Sequence, residues 1–208
     1  APEEIEVHFK DGVPVKLVNR TKNTRWEDPL DLFVALNDLG SRHGIGRIDM
    51  VENRFIGIKS RGCYETPGGT LLVAAHRDIE SLTLERDVLH FKQQIALKYA
   101  ELVYYGLWFT PLREALDAFV DSTQQTVSGS VTLKLYKGNV SVAGRTSEYS
   151  LYQTGLAAFS MDGYNPKDAE GFIRILGLPA RVQAPLRRKK PESEHQRGKE
   201  FLKATTGD

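Results

Sequence analysis

The sequence predicts an α+β fold, with a mixed or antiparallel sheet, hairpins at both ends and several helices packed on it. Three observations carry this. Apolar and polar side chains alternate with period two near both ends of the chain, each time around a tight-turn sequence, Asp11-Gly12 and Lys137-Gly138-Asn139. Between them, proline-led helix starts recur at Asp28-Pro29, Thr66-Pro67 and Thr110-Pro111, each followed by apolar residues three or four apart. Strands and helices then follow in irregular order without a fixed-period repeat, which argues against solenoids and propellers.

Bulk properties exclude more than they assign. A chain of 208 residues can bury a real core; residues 1–180 read as the folded domain and 181–208 as a C-terminal tail that contacts an oligomer partner or is disordered. Lys and Arg number 28 against 27 Asp and Glu, so there is no basic excess of the kind a nucleic-acid binder carries. The lone cysteine, Cys63, rules out a disulfide framework or a multi-cysteine zinc site and reads as structural. No apolar run approaches the roughly 18 residues of a membrane span, and no signal-peptide pattern stands at the start. A cytoplasmic location is the expectation.

Ile5, Val7 and Phe9 alternate with Glu6, His8 and Lys10 in the first strand, and Val15 and Leu17 continue the pattern in the second. Pro14 places the second strand's start at a sheet edge, and His8 falls on the exposed side. A polar loop leads to a helix capped by Asp28, with Leu32, Phe33, Leu36 and Leu39 as its buried face and Gly40 as its end. After Thr66-Pro67 comes a helix with the stripe Leu72, Ala75, Ile79 and Leu82. A long third helix starts at Thr83 and runs towards Trp108, burying Leu84, Val88, Phe91, Ile95 and Leu102, with a possible break at Ile95–Lys98. The aromatic run from Tyr104 to Phe109 reads as core or interface packing. The fourth helix buries Leu112, Leu116, Phe119 and Val120. Asn165-Pro166 caps a last helix carrying Phe172, Ile173 and Leu176 and ended by Gly177. The segment 187–208, with Arg187-Arg188-Lys189-Lys190, shows no helical period and reads as a mobile basic tail.

Residues 44–69 stand out. Charges of both signs sit on strand-forming residues between six glycines, a pattern of surface that meets a ligand; a solvated edge strand is the alternative. Ile48, Met50 and Val51 place a strand over 46–55, and Gly57 marks a bend before a second strand or loop reaching Tyr64. The N–H groups of the following helix favour an anion beside Tyr64 and Glu65, unless Thr66 and Glu65 themselves satisfy that tip. No local catalytic set is present: no phosphate loop, no Gly-x-Ser-x-Gly turn, no His-Glu-x-x-His and no calcium loop. The residues alone describe a ligand-contacting module whose catalytic machinery is elsewhere or absent.

Six segments in order carry a family resemblance. They are Gly46-Arg-Ile-Asp-Met-Val-Glu-Asn-Arg-Phe-Ile-Gly57, Lys59-Ser-Arg-Gly-Cys-Tyr-Glu-Thr-Pro-Gly-Gly-Thr70, Lys98-Tyr-Ala-Glu-Leu-Val-Tyr104, Lys134-Leu-Tyr-Lys-Gly-Asn-Val140, Ser150-Leu-Tyr152 and Asp168-Ala-Glu-Gly-Phe-Ile173. They resemble the C-terminal synthetase and oligomerisation half of argininosuccinate synthase, over about residues 1–178. The resemblance implies an ATP-dependent ligase of arginine biosynthesis and the urea cycle that joins citrulline to aspartate and releases AMP and pyrophosphate. The citrulline ureido oxygen is adenylylated, and the aspartate amino group then displaces AMP. It also implies two citrulline contacts in this half, Glu52 and Tyr64, and no catalytic or metal-ligating residue. A carboxylate suits the substrate's α-ammonium, and a phenol can donate to a polar group while its ring packs on the aliphatic stem. Arg47, Asp49, Arg54, Lys59 and Arg61 are then ion pairs shaping that wall.

The chain departs from the family in one large respect. The nucleotide-binding domain with its Ser-Gly-Gly-Leu-Asp-Thr-Ser loop is not in these residues. ATP with magnesium is therefore expected on that domain in the complete enzyme, with none bound by this chain, which is expected to be inactive by itself. The expected partners are citrulline and aspartate, the nucleotide-binding domain, and further copies in a homotetramer; no membrane or nucleic acid is expected. A stand-alone, non-catalytic assembly or regulatory module that keeps the fold is the alternative.

Overall fold

A computed structural model of the chain describes residues 1–157 and 165–188. The chain divides into two units, Ala1–Tyr152 and Gln153–Asp208. In the first unit, β1 (Glu3–Lys10) and β2 (Val13–Asn19) form the expected N-terminal hairpin, and β6 (Gly129–Tyr136) and β7 (Asn139–Thr146) the expected later one. The two hairpins join, because β1 pairs antiparallel with β6 through Ile5 opposite Leu133 and Val7 opposite Val131. A short strand β3 (Thr24–Trp26), inside the segment expected to be a polar loop, completes an antiparallel sheet of order β3-β2-β1-β6-β7.

The period-two pattern decides which face is covered. Ile5, Val7, Leu17, Val131, Leu133 and Leu135 are fully buried on one face, while Glu4, Glu6, Thr132 and Lys134 occupy the other. Val15 breaks the expected alternation and is exposed. The register shifts there, His8 lying opposite Lys16 and Phe9 opposite Pro14, so Val15 is the extra residue of a bulge. Pro14 lies beyond the reach of β3, at an effective edge as expected. His8 is half-buried rather than exposed, its Nε2 3.5 Å from Glu6.

Two helices cover the buried face, α1 (Pro29–Arg42) and α2 (Pro67–Thr83). The Asp28 carboxylate accepts the N–H groups of Leu30 and Asp31, the predicted cap. Leu32, Leu36 and Leu39 are buried as expected, joined by Ala35, whereas Phe33 is exposed. Gly40 does not end the helix. It lies buried within α1, and the chain turns at Gly44, with the Ile45 N–H reaching back to the Gly40 carbonyl. In α2 the buried line is Leu71, Ala75 and Ile79, with Leu72 and Leu82 at its margins.

Helix α3 (Arg86–Tyr104) begins after Glu85, which caps it, and runs unbroken through Ile95–Lys98; Thr83 ends α2 instead of starting α3. It pairs with α4 (Pro111–Gln124), Phe91 meeting Phe119 edge to face at 5.3 Å. The expected buried line is buried only in part: Leu84 and Leu102 are, Val88 and Ile95 are half-buried, and Phe91 is exposed. Leu112 is exposed on α4 as well. A two-helix hairpin covers one stripe of each helix and leaves the rest of the apolar surface open.

In the second unit, α5 (Thr154–Ala157), α6 (Asp168–Leu176) and α7 (Leu178–Arg188) are described. Asn165 Oδ1 accepts the Lys167 N–H ahead of α6, and Gly177 closes α6 as expected. The start of the segment 181–208, expected as an oligomer-contacting or disordered tail, is helical as far as Arg188; the rest of that segment lies outside the described residues. Among the described residues no helix is long and apolar enough to cross a membrane.

Charge ties the N-terminal strand to its surroundings and makes the fold pH-dependent. Burial pushes the Glu3 carboxyl up, but hydrogen bonds from Lys22 and Arg42 outweigh it and hold it below the usual carboxylate range. Glu6 behaves alike: burial opposes, and the Ser130 hydroxyl and Arg20 guanidinium prevail. Both folded-state values are depressed, so their contribution is present above the ordinary value of 4.5 and is lost as pH falls through the folded values. Thermal unfolding measured from pH 7 downward is expected to show the midpoint dropping below about pH 4.5, with a shallower slope in Glu3→Gln.

Candidate functional site

The singled-out stretch folds as a two-stranded ribbon, separate from the main sheet. Strands β4 (Arg47–Asn53) and β5 (Lys59–Glu65) pair antiparallel, from Arg47 opposite Glu65 to Asn53 opposite Lys59. Its base is held by Gly46, whose carbonyl accepts the Thr66 N–H at 2.9 Å. At its tip the Arg54 N–H bonds the Ile58 carbonyl, Phe55 meets the ring of Tyr105 edge-on at 4.7 Å, and Tyr104 Oη donates to the Asn53 carbonyl. The ribbon is thus clamped at its base by the start of α2 and near its tip by the end of α3.

Alternation sorts the ribbon's residues onto two faces. One face carries Ile48, Met50 and Glu52 from β4 with Tyr64, Gly62 and Ser60 from β5. The other carries Arg47, Asp49, Val51, Asn53, Lys59, Arg61, Cys63 and Glu65. On the second face Arg47 Nε lies 3.1 Å from Glu65, and Arg61 Nε donates to Asp49 at 2.8 Å. The Arg61 hydrogen bond holds the Asp49 carboxyl below its ordinary range. Of the five residues expected in ion pairs, Arg47, Asp49 and Arg61 are paired, and they stiffen the back of the wall. Arg54 and Lys59 make no ion pair among the described residues. Cys63, expected to be structural, is exposed on this back face.

Glu52 and Tyr64 share the front face and meet: Tyr64 Oη donates to Glu52 Oε1 at 2.6 Å. The bond holds the Tyr64 phenol above its ordinary range, because losing the proton would place a phenolate against a carboxylate. Glu52 Oε2 has no hydrogen bond among the described residues. One face of the ribbon thus offers an acceptor oxygen, a phenol and apolar surface from Ile48 and Met50, side by side. That set suits a ligand with a cationic end and an aliphatic stem.

The tip of α2 is not closed by the residues beside it in sequence. Neither Thr66 nor Glu65 closes it: Thr66 makes no side-chain cap, and Glu65 is turned to Arg47. Asn37 of α1 reaches across instead, its Oδ1 accepting the Gly68 N–H at 2.9 Å. Three residues that shape this region escaped sequence reasoning. An Asn in mid-helix gives no sign of capping a different helix, and Tyr104 sat in an aromatic run expected only to pack. Gly62 did leave a signal, standing two residues before Tyr64 and hence on its face.

Comparison with known proteins places this geometry in a family. A family model described as arginosuccinate synthase C-terminal domain matches residues 1–183. The argininosuccinate synthase of Koribacter versatilis is 63% identical over 183 residues, covering 88% of this chain and 44% of that protein. That of Carboxydothermus hydrogenoformans is 61% identical over 184 residues, covering 88% and 45%. That of Desulfitobacterium hafniense strain DCB-2 is 58% identical over 193 residues, covering 91% and 47%. The chain spans a little under half the length of the curated relatives it matches. It belongs to the argininosuccinate synthase family, a family of ligases, and corresponds to the C-terminal domain of its members.

Proposed function

We propose that this chain supplies the citrulline-facing wall of an argininosuccinate synthase, the ligase that joins citrulline to aspartate while ATP is converted to AMP and pyrophosphate. The observation that carries the reading is the pairing of Glu52 and Tyr64 on one face of the ribbon. In this reading Glu52 accepts the α-ammonium of citrulline through its unengaged oxygen. Tyr64, whose hydroxyl proton is given to Glu52, offers its oxygen as an acceptor to a polar N–H of the substrate, and the apolar side chains beside them pack on its stem. The chain binds and orients; it holds no residue assigned to bond making. ATP and its magnesium belong to the nucleotide-binding domain, since these residues contain no phosphate-loop pattern. The phosphates are positioned and their charge stabilised there.

The working form in this reading is a cytoplasmic homotetramer of complete chains, in arginine biosynthesis or the urea cycle. The helices α6 and α7 support an oligomer, because Phe172, Ile173, Leu176, Leu178 and Val182 are exposed on them. The chain alone is expected to be inactive and to bind citrulline weakly or not at all, with the opposite wall of the site missing.

The test is Glu52→Gln in an intact synthase carrying this half. Removing the charge while keeping the shape is expected to raise the citrulline KM by about tenfold or more, as for a hydrogen bond to a charged group. The ATP KM is expected to stay as it was. A citrulline KM equal to that of the parent protein would sink the assignment.

A further inference from the structure

We propose that Gly62 is a positioning residue of this wall: having no side chain, it leaves open the lane along which Tyr64 lies back over its own strand to reach Glu52. The register makes the lane necessary. Glu52 lies opposite Ser60 and Tyr64 opposite Ile48, so the two are separated by the rung that Met50 and Gly62 form between them. Along a strand that separation is roughly 13 Å, four residues at ~3.3 Å each, far beyond the spacing of side chains placed directly opposite. The phenol spans it by lying along β5, across position 62. A Cβ on Gly62 would stand 2.5 Å from Tyr64 Cε2 and 2.6 Å from both Cζ and Oη.

Backbone conformation does not call for glycine at this position, since Gly62 is not among the residues with positive φ. What glycine provides is clearance. The atoms a Cβ would strike belong to the far end of a rotatable side chain, so alanine swings the ring away and leaves the strand in place. Gly62 thereby sets whether Glu52 and Tyr64 act on a ligand as one preorganised pair or as two separate groups.

The functional part rests on the citrulline reading of Glu52 and Tyr64; the geometric part does not. The experiment therefore has two readouts on Gly62→Ala, Glu52→Gln and the parent protein. The first is ultraviolet titration of the Tyr64 phenol in this chain, taken as the difference between each protein and its Tyr64→Phe counterpart. Gly62→Ala is expected to titrate at lower pH than the parent, in the same direction as Glu52→Gln, with its thermal midpoint unchanged. If Tyr64 titrates as in the parent while Glu52→Gln moves it, the proposal is overturned whatever the ligand. The second readout is steady-state kinetics in an intact synthase. The citrulline KM is expected to rise about tenfold in Gly62→Ala, with a smaller change in kcat and none in the ATP KM. A normal citrulline KM in Gly62→Ala, beside raised values in Glu52→Gln and Tyr64→Phe, overturns the role of Gly62 alone. Normal values in all three overturn the citrulline reading and the proposal with it.

Discussion

Glu80→Ala is expected to lower stability by about 3–5 kcal/mol, the loss typical of removing one partner from a buried charge pair. Glu80 is 5% exposed on α2, and its Oε1 accepts both Lys92 Nζ at 2.9 Å and Gln124 Nε2 at 2.8 Å. Gln124 Oε1 in turn meets His76 Nε2 at 2.9 Å. One carboxylate thus joins α2 to α3 and α4, beside a groove of about 770 Å³ that Phe9, Leu72 and Leu89 also line. Without it, a largely buried ammonium loses its counter-charge and an amide loses its acceptor. Denaturant unfolding of the single variant and of Glu80→Ala with Lys92→Met checks this. The double variant should recover part of the loss, and a single-variant loss below about 1 kcal/mol would remove the network as the joint between these helices.

Gly46→Ala is expected to cost about 2–4 kcal/mol, ~1–2 from the left-handed backbone and the rest from overlap. Gly46 has φ +83°, and a Cβ there would stand 2.7 Å from the Thr66 carbonyl carbon and oxygen and 2.8 Å from Pro67 Cα. These are backbone atoms of the α2 start, which cannot rotate aside. The base of the ribbon must shift, taking Glu52 and Tyr64 with it. Both the thermal midpoint and the citrulline affinity of an intact synthase should fall. The contrast with Gly62→Ala is sharp, since there the midpoint holds and only the site responds. Equal stability losses in the two variants would contradict this division of roles.

The hairpins and the α1 cap were legible because each depends on neighbours in sequence: Ile5, Val7 and Phe9 alternate, and Asp28 precedes Pro29. The pairing of β1 with β6 was not, since nothing near Ile5 names Leu133. β3 was missed because three residues among polar neighbours carry too little pattern. The burial of Phe91 and Leu112 was overread because helical spacing marks an apolar stripe without saying whether anything covers it. For the site, the residue types marked the stretch 44–69, and the family resemblance alone pointed to Glu52 and Tyr64 within it. Their contact could not be foreseen, because it depends on the register of the ribbon and on the clearance at Gly62. Arg47, Asp49 and Arg61 were foreseen as ion-paired, but which residue each one pairs with, and the placement of the pairs behind the wall, again required the register.

The junction of the two hairpins has a kinetic consequence. Ser130 Oγ donates to Glu6 across 124 positions of sequence, so the sheet has a high contact order and its closure is a slow, non-local step. On the ribosome, the β1–β2 hairpin emerges long before β6 exists. Its unpaired edge, along Glu3–Lys10, must stay open while more than half of the chain is still being made, and is then a place where two nascent chains can pair wrongly.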